Sequence, residues 1–127
     1  MTPSPEAPHF PRPVPIDSYG KGGFRFAGMS HRGSLLCLPS GIWAWPVKEA
    51  AEISEESLVQ VFADTGEMSL FFLGTGHAPA MIAPSLRQRF SELKLSLEVM
   101  RTAHAANTYN ILLGEGRRVG AALIAVD

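Results

Sequence analysis

Cys37 is the only cysteine in 127 residues, so no intrachain disulfide can form. A reducing compartment is the simplest setting for such a chain. Cys37 sits in the run Leu35-Leu36-Cys37-Leu38. Apolar surroundings raise a thiol's pKa, so it reads as a packed, inert group. Net charge is scarce too: 11 basic against 12 acidic residues leave −1. Nucleic-acid binding needs a basic field to displace phosphate counterions, so the balance argues against that class. It gives no support for attachment to an anionic membrane either. No apolar run approaches the roughly 18–20 residues that span a bilayer. The N-terminus lacks a basic start followed by an apolar block, so it does not read as a secretory signal. An early acid and a single arginine before Pro13 fit a mitochondrial transit peptide poorly. A bacterial cytoplasmic protein is the expectation. Catalytic signatures are missing as well. There is no Gly-x-Ser-x-Gly elbow, no His-Glu-x-x-His helix and no paired-cysteine cluster. No catalytic residue, metal or cofactor is assigned.

What is present suffices for a core. A chain of this length fits one domain, and 46% hydrophobic residues can fill it. Such a domain buries roughly two-thirds of the surface its unfolded chain exposes. Residues 1–15 carry Pro3, Pro5, Pro8, Pro11, Pro13 and Pro15. Proline fixes φ and removes donors, which predicts an extended tail mostly outside the fold. The domain is expected over 16–127.

Short strands are expected at Ile16–Tyr19, Phe24–Phe26, Ser34–Leu38 and Ile42–Trp45, broken by Gly20, Gly22, Gly23, Gly33 and Pro39-Ser40-Gly41. Ser54 can cap a helix that carries Leu58, Val61 and Phe62 on one face and ends at Gly66. Met68–Leu73 has no alternation, as in a strand covered on both faces. Pro84 opens a second helix with Leu86, Phe90 and Leu93 in register. A strand around Leu97 and Val99 follows, then a helix capped by Thr102 and running to about Leu113, then a strand over Val119–Val126. The order predicts an α/β domain with a mixed sheet. Antiparallel strands belong to its first half, and alternating strands and helices build its parallel part.

Ile16-Asp17-Ser18-Tyr19 with Gly23-Phe24, Leu38-Pro39, Trp45 and Leu73-Gly74-Thr75-Gly76 form an ordered set of motifs. The set continues through Val99, Thr102, Ala105, Thr108-Tyr109-Asn110, Glu115-Gly116-Arg117 and Ala121-Ala122-Leu123-Ile124. Over about residues 16–126 it resembles the NADH:ubiquinone oxidoreductase (complex I) assembly factor 3 family, which includes small uncharacterised bacterial and archaeal proteins. The resemblance implies a three-layer α/β fold around a mixed central sheet. For mitochondrial relatives it implies a role in building the membrane-peripheral part of complex I beside other assembly proteins. It brings no catalytic residues and no cofactor.

The candidate site follows from strand ends. In open α/β sheets ligands and partners gather at the carboxyl rim. Gly74-Thr75-Gly76 after a strand can present backbone N–H groups to an anion, or can be a tight turn. It lacks the third glycine of a dinucleotide fingerprint and the Gly-Lys-Ser/Thr of a P-loop. His77 and His104 approach one another if the strand ends are neighbours, but further metal ligands are not visible. Thr102 reads as a helix cap, and Tyr109 as a packed ring with its hydroxyl on a partner group. Asn107 and Asn110 are possible ligand contacts, Asn110 alternatively tying the helix to the glycine loop. Arg117, paired with Glu115 or Asp17, can order a turn or hold an anion. Arg25 beside the first glycine turn is a further candidate. Trp43 and Trp45 can serve a partner-facing patch or the core.

The preferred expectation is a non-enzymatic binding protein with protein partners. The alternative is an enzyme or sensor for an anionic metabolite, with its site at Gly74–His77, Thr102, Asn107 and Asn110.

Overall fold

The computed structural model describes residues 8–127. The first part of the expected tail therefore lies outside the described residues. Two tandem hairpins come first: β1 (Ser18–Gly20), β2 (Gly23–Phe26) and β3 (Met29–Arg32) form a three-stranded antiparallel sheet. Lys21-Gly22 and Ala27-Gly28 make the two turns, all with positive φ between 50° and 79°. Those are the type I′ dihedrals that match strand twist. β4 (Ser34–Leu38), β5 (Gly41–Trp45), β6 (Leu70–Gly74), β7 (Ser96–Met100) and β8 (Val119–Leu123) form a second, five-stranded sheet. Its order is β5-β4-β8-β6-β7. β6 runs parallel to β7 and β8, while β4 is antiparallel to β5 and β8.

The mixed sheet and the α/β class agree with expectation, but the earliest strands do not join it. Gly33, at φ 96°, redirects the chain between β3 and β4. β3 itself has no counterpart in the sequence reading. Its exposure alternates between half-buried and exposed, so no apolar stripe announces it.

Side chains alternate across the large sheet and build two cores. Leu36, Leu38, Phe71, Leu73 and Ala122 face Leu58, Val61, Leu86 and Phe90. The last four residues come from the helical layer: a 3-10 turn at Glu56–Leu58, α1 (Val59–Ala63) and α2 (Pro84–Glu92). On the other face Leu35, Cys37, Phe72, Ala121 and Leu123 meet Phe24 and Phe26 of β2. They also meet Ala105, Ala106 and Tyr109 of α3 (Thr102–Gly114). Each fully buried leucine or phenylalanine contributes about 1.5–3 kcal/mol by leaving water. Trp43 and Trp45 lie in the first core, not in a partner-facing patch.

The single helix expected from Ser54 to Gly66 is broken into 3-10 and α pieces. Ser54 does accept from the Ser57 N–H, but the chain then tightens to place fully buried Leu58 and Val61 on one face. At the other end of the fold, α3 closes with a Schellman motif. Gly116, at φ 77°, donates to the Leu113 carbonyl, and Arg117 donates to the Leu112 carbonyl.

The expected tail is also corrected where it is described. His9 donates to the Ile42 carbonyl at 2.7 Å, and Ile42 donates to the Phe10 carbonyl at 3.0 Å. Phe10 and Val14 pack against the α3-side core. The prolines keep this segment extended, and the extended form lies on the body.

Candidate functional site

The rim at the carboxyl ends of β6 and β7 is a knot of mutually satisfied groups. The Thr75 N–H donates to the Met100 carbonyl at 2.9 Å, and the Gly76 N–H donates to the Thr102 hydroxyl at 3.0 Å. The Thr75 hydroxyl donates to the Ala78 carbonyl, and the Thr102 N–H to the Gly76 carbonyl, both at 2.8 Å. The Thr102 hydroxyl donates to the Ile124 carbonyl at 2.7 Å, while the Ile124 N–H donates to the Gly74 carbonyl. Thr75 and Gly76 therefore have no free amide to cradle an anion. Gly74 is required by close approach: an added Cβ would lie 2.9 Å from Thr102 Cα.

Thr102 is not the helix cap. Arg101, extended at φ −67° and ψ 154°, occupies that position, and the Thr102 side chain makes no cap bond to its own helix. Fully buried, it instead ties helix, glycine loop and last strand together. That role leaves the hydroxyl without access as a nucleophile.

The other sequence candidates separate. His77 is exposed beyond the knot, and His104 is exposed on α3. No ring contact joins them among the described residues; the paired imidazoles are those of His9 and His31, 5.2 Å apart edge to face. Arg117 is exposed at the far end of α3, about 20 Å along the helix from Thr102 at 1.5 Å per residue. It makes no ion pair with Glu115 or Asp17; the ion pairs among the described residues are those of Arg89 with Glu55 and Glu92. Arg25 is exposed on the small sheet, in a surface depression with Lys21 and Arg32. Among the described residues no cluster of His, Cys, Asp or Glu is arranged to hold a metal.

Asn107 and Asn110 do share a groove, of about 500 Å³, between α3 and the Ile16–Tyr19 segment, with Asp17, Arg101 and His104 on its walls. Asn107 is exposed there. Asn110 is committed: its Oδ1 accepts from the Ile16 N–H and its Nδ2 donates to the Ile16 carbonyl, both at 2.8 Å. The side chain acts as a substitute strand neighbour for one residue. This corrects the expectation that Asn110 ties the helix to the glycine loop; it holds the start of the domain. The Tyr109 hydroxyl donates to the Val14 carbonyl at 3.2 Å, and its ring lies in the same core as Cys37. Burial pushes Cys37 up to about 12, so the thiol is inert as expected. Burial likewise pushes the Tyr109 phenol upward. No motif in the sequence marks Ser34. It is buried, and its hydroxyl accepts from the Ala125 N–H at 2.9 Å, fixing the chain after β8.

The two edges of the large sheet differ. At β5 the His9–Phe10 segment covers Ile42. At β7 the sole paired neighbour among the described residues is β6. The Ser96 N–H and the Met100 carbonyl point to β6. By alternation the N–H and C=O of Leu97 and Val99 point outward. Beside them a shallow groove of about 380 Å³ runs under α2, with Arg87 and Lys94 on its rim.

Comparison with known proteins fits this architecture. A family described as "Protein of unknown function (DUF498/DUF598)" matches residues 16–124. An uncharacterised protein of Rhodobacter capsulatus is 39% identical over 121 residues, covering 95% of this chain and 92% of that protein. Mouse NADH dehydrogenase (ubiquinone) 1 alpha subcomplex assembly factor 3 is 34% identical over 115 residues, covering 91% of this chain. The matched region is 62% of the mouse protein's length. A crystal structure from Bartonella henselae, described as an outer membrane protein, superposes with a TM-score of 0.90 at 40% identity. It covers 94% of this chain and 100% of that one. Among the described residues no helix is long and apolar enough to cross a membrane. The chain belongs to the DUF498/DUF598 family of proteins of unknown function, and a mammalian complex I assembly factor is among its relatives.

Proposed function

We propose that this protein is a non-enzymatic binding protein that assists assembly of a respiratory complex I through protein–protein contacts. The observation that carries the reading is the similarity to the mouse assembly factor, which runs over 91% of this chain. The rim geometry supports it. Where an α/β enzyme would collect substrate, Gly74, Thr75, Gly76 and Thr102 bond to one another and to the neighbouring strand ends. The chemistry left on the surface is that of recognition: an open strand edge and exposed arginines.

The test is affinity purification of the chain from its native host, together with a deletion strain. Complex I subunits or their assembly proteins should co-purify, and the deletion should lower the amount of assembled complex I. A deletion strain with a normal complex I, and a purification that returns none of those proteins, would overturn the proposal. The reading as an anionic-metabolite sensor makes the opposite forecast. It requires anionic metabolites or nucleotides to raise the thermal midpoint of the purified protein, because a ligand that binds only the folded form stabilises it.

A further inference from the structure

We infer that the open edge of β7 is the docking surface, and that it receives an extended, acidic segment of a partner protein as an added strand. The inference deepens the assembly-protein reading and rests on it. Its starting point is the outward N–H and C=O of Leu97 and Val99, which among the described residues have no paired strand on the outer side of the sheet. Native proteins usually guard such an edge with proline, lysine, a bulge or a covering segment. Between Ser96 and Met100 there is no proline, lysine or arginine; the one charge is Glu98. The same sheet does cover its other edge, at Ile42, with its own chain. β7 is left as a template for strand addition.

The groove beside it selects the occupant. Exposed Arg87 and Lys94 flank Leu97 on the α2 side, and neither makes an ion pair among the described residues. An added strand sends alternate side chains to this side, so a carboxylate there meets two cations. A second copy of this chain is the poorer fit. In a two-fold antiparallel pair centred on Glu98, that acid meets its own copy and Lys94 meets the Arg101 end of the other strand, so a second copy brings like charges together.

The probe is a nine-residue peptide of alternating valine and threonine with a central glutamate, compared with its lysine twin by amide-resolved NMR. The glutamate peptide should shift the Leu97 and Val99 amides and slow their hydrogen exchange. The lysine twin should bind about tenfold more weakly or worse, as like charges oppose docking. Val99→Pro removes an outward donor that the β6–β7 ladder does not use, so it should abolish binding while the protein stays folded. Lys94→Glu, on the surface, should cancel the preference between the twins, because the new acid offsets Arg87, and serves if the proline variant does not fold.

Unperturbed Leu97 and Val99 amides, equal binding of the twins by wild type, or full binding by Val99→Pro would overturn the inference. So would protection of those amides that rises with protein concentration and needs no peptide, which identifies self-pairing. The outcome is separable from the assembly role. If complex I proteins co-purify equally with wild type and Lys94→Glu, the β7 surface fails and the role stands.

Discussion

The β5 and β7 edges of one sheet are handled in opposite ways. β5 is covered by the chain's own N-terminal segment, which forms an antiparallel bridge from Phe10 to Ile42. Among the described residues β7 carries no such cover, and the groove beside it is lined by Arg87 and Lys94. The difference follows strand composition. Gly41–Trp45 is the more apolar edge and the better buried one. A hydrophobic open edge is an aggregation hazard, so the apolar edge is the one that needs a cover. The polar edge can stay open without that hazard. The cover in turn depends on α3. Tyr109 and Asn110 hold Val14 and Ile16, just downstream of Phe10.

That dependence gives the largest expected effect. Asn110→Ala removes both bonds to Ile16, a residue only 4% exposed. Leaving a buried N–H and C=O unpaired costs about 2–3 kcal/mol in total. Urea unfolding should show that loss, and amide exchange at Ile42 should quicken as the covering segment loosens. A loss below about 0.5 kcal/mol would mean that water replaces the asparagine at no cost.

Gly41→Ala strikes the cover directly. Gly41 has φ 138°, and a Cβ there would meet the Phe10 carbonyl and the Pro8 ring. We expect a loss of about 1–2 kcal/mol from the backbone conformation and the displaced segment. The sharper readout is exchange at Ile42, which should approach that of Leu97 and Val99. The β5 edge would then behave like the β7 edge. Unchanged protection at Ile42 would show that the bridge from Phe10 is not what shields it.

The smallest effect is one of pH. His31 of β3 bonds the Ser34 carbonyl at 3.2 Å and faces His9 in the covering segment. Burial pulls its pKa below the usual 6.5, outweighing the opposite pull of the Ser34 carbonyl; the nearby His9 adds to the lowering. The unfolded chain therefore takes up the proton first as pH falls. Stability is at its full value above about 6.5 and declines as pH drops through the lower, folded value. Between about pH 7.5 and 5.5 the wild-type melting temperature should fall more than that of His31→Gln. Parallel falls in the two proteins would remove His31 from the account.

Much of the fold is written locally. The helix at Thr102–Gly114 and its glycine end, the buried run that becomes β6, and the proline-started α2 all follow from short-range patterns. β3 does not, because an edge strand with two exposed positions carries no apolar alternation. The site is less legible. Thr102 in a helix's first turn has the pattern of a cap. Its hydroxyl goes elsewhere because Gly76 and Ile124 arrive within reach from 26 and 22 residues away. Asparagine inside a helix is a poor helix former, which hints at a tertiary bond but not at its partner. Asn110 meets Ile16 across 94 residues.

By itself, then, the amino-acid order determined which stretches bury themselves, where glycine must turn the chain, and that Cys37 is an inert core group. Those are properties of periods, propensities and nearest neighbours. Only the tertiary structure decided which polar groups satisfy one another and which strand ends the sheet. Pairing across long separations depends on strand order, and strand order is set by how two faces of a sheet are covered at once. For that reason the glycine loop became a closed knot, and the sheet ends at β7.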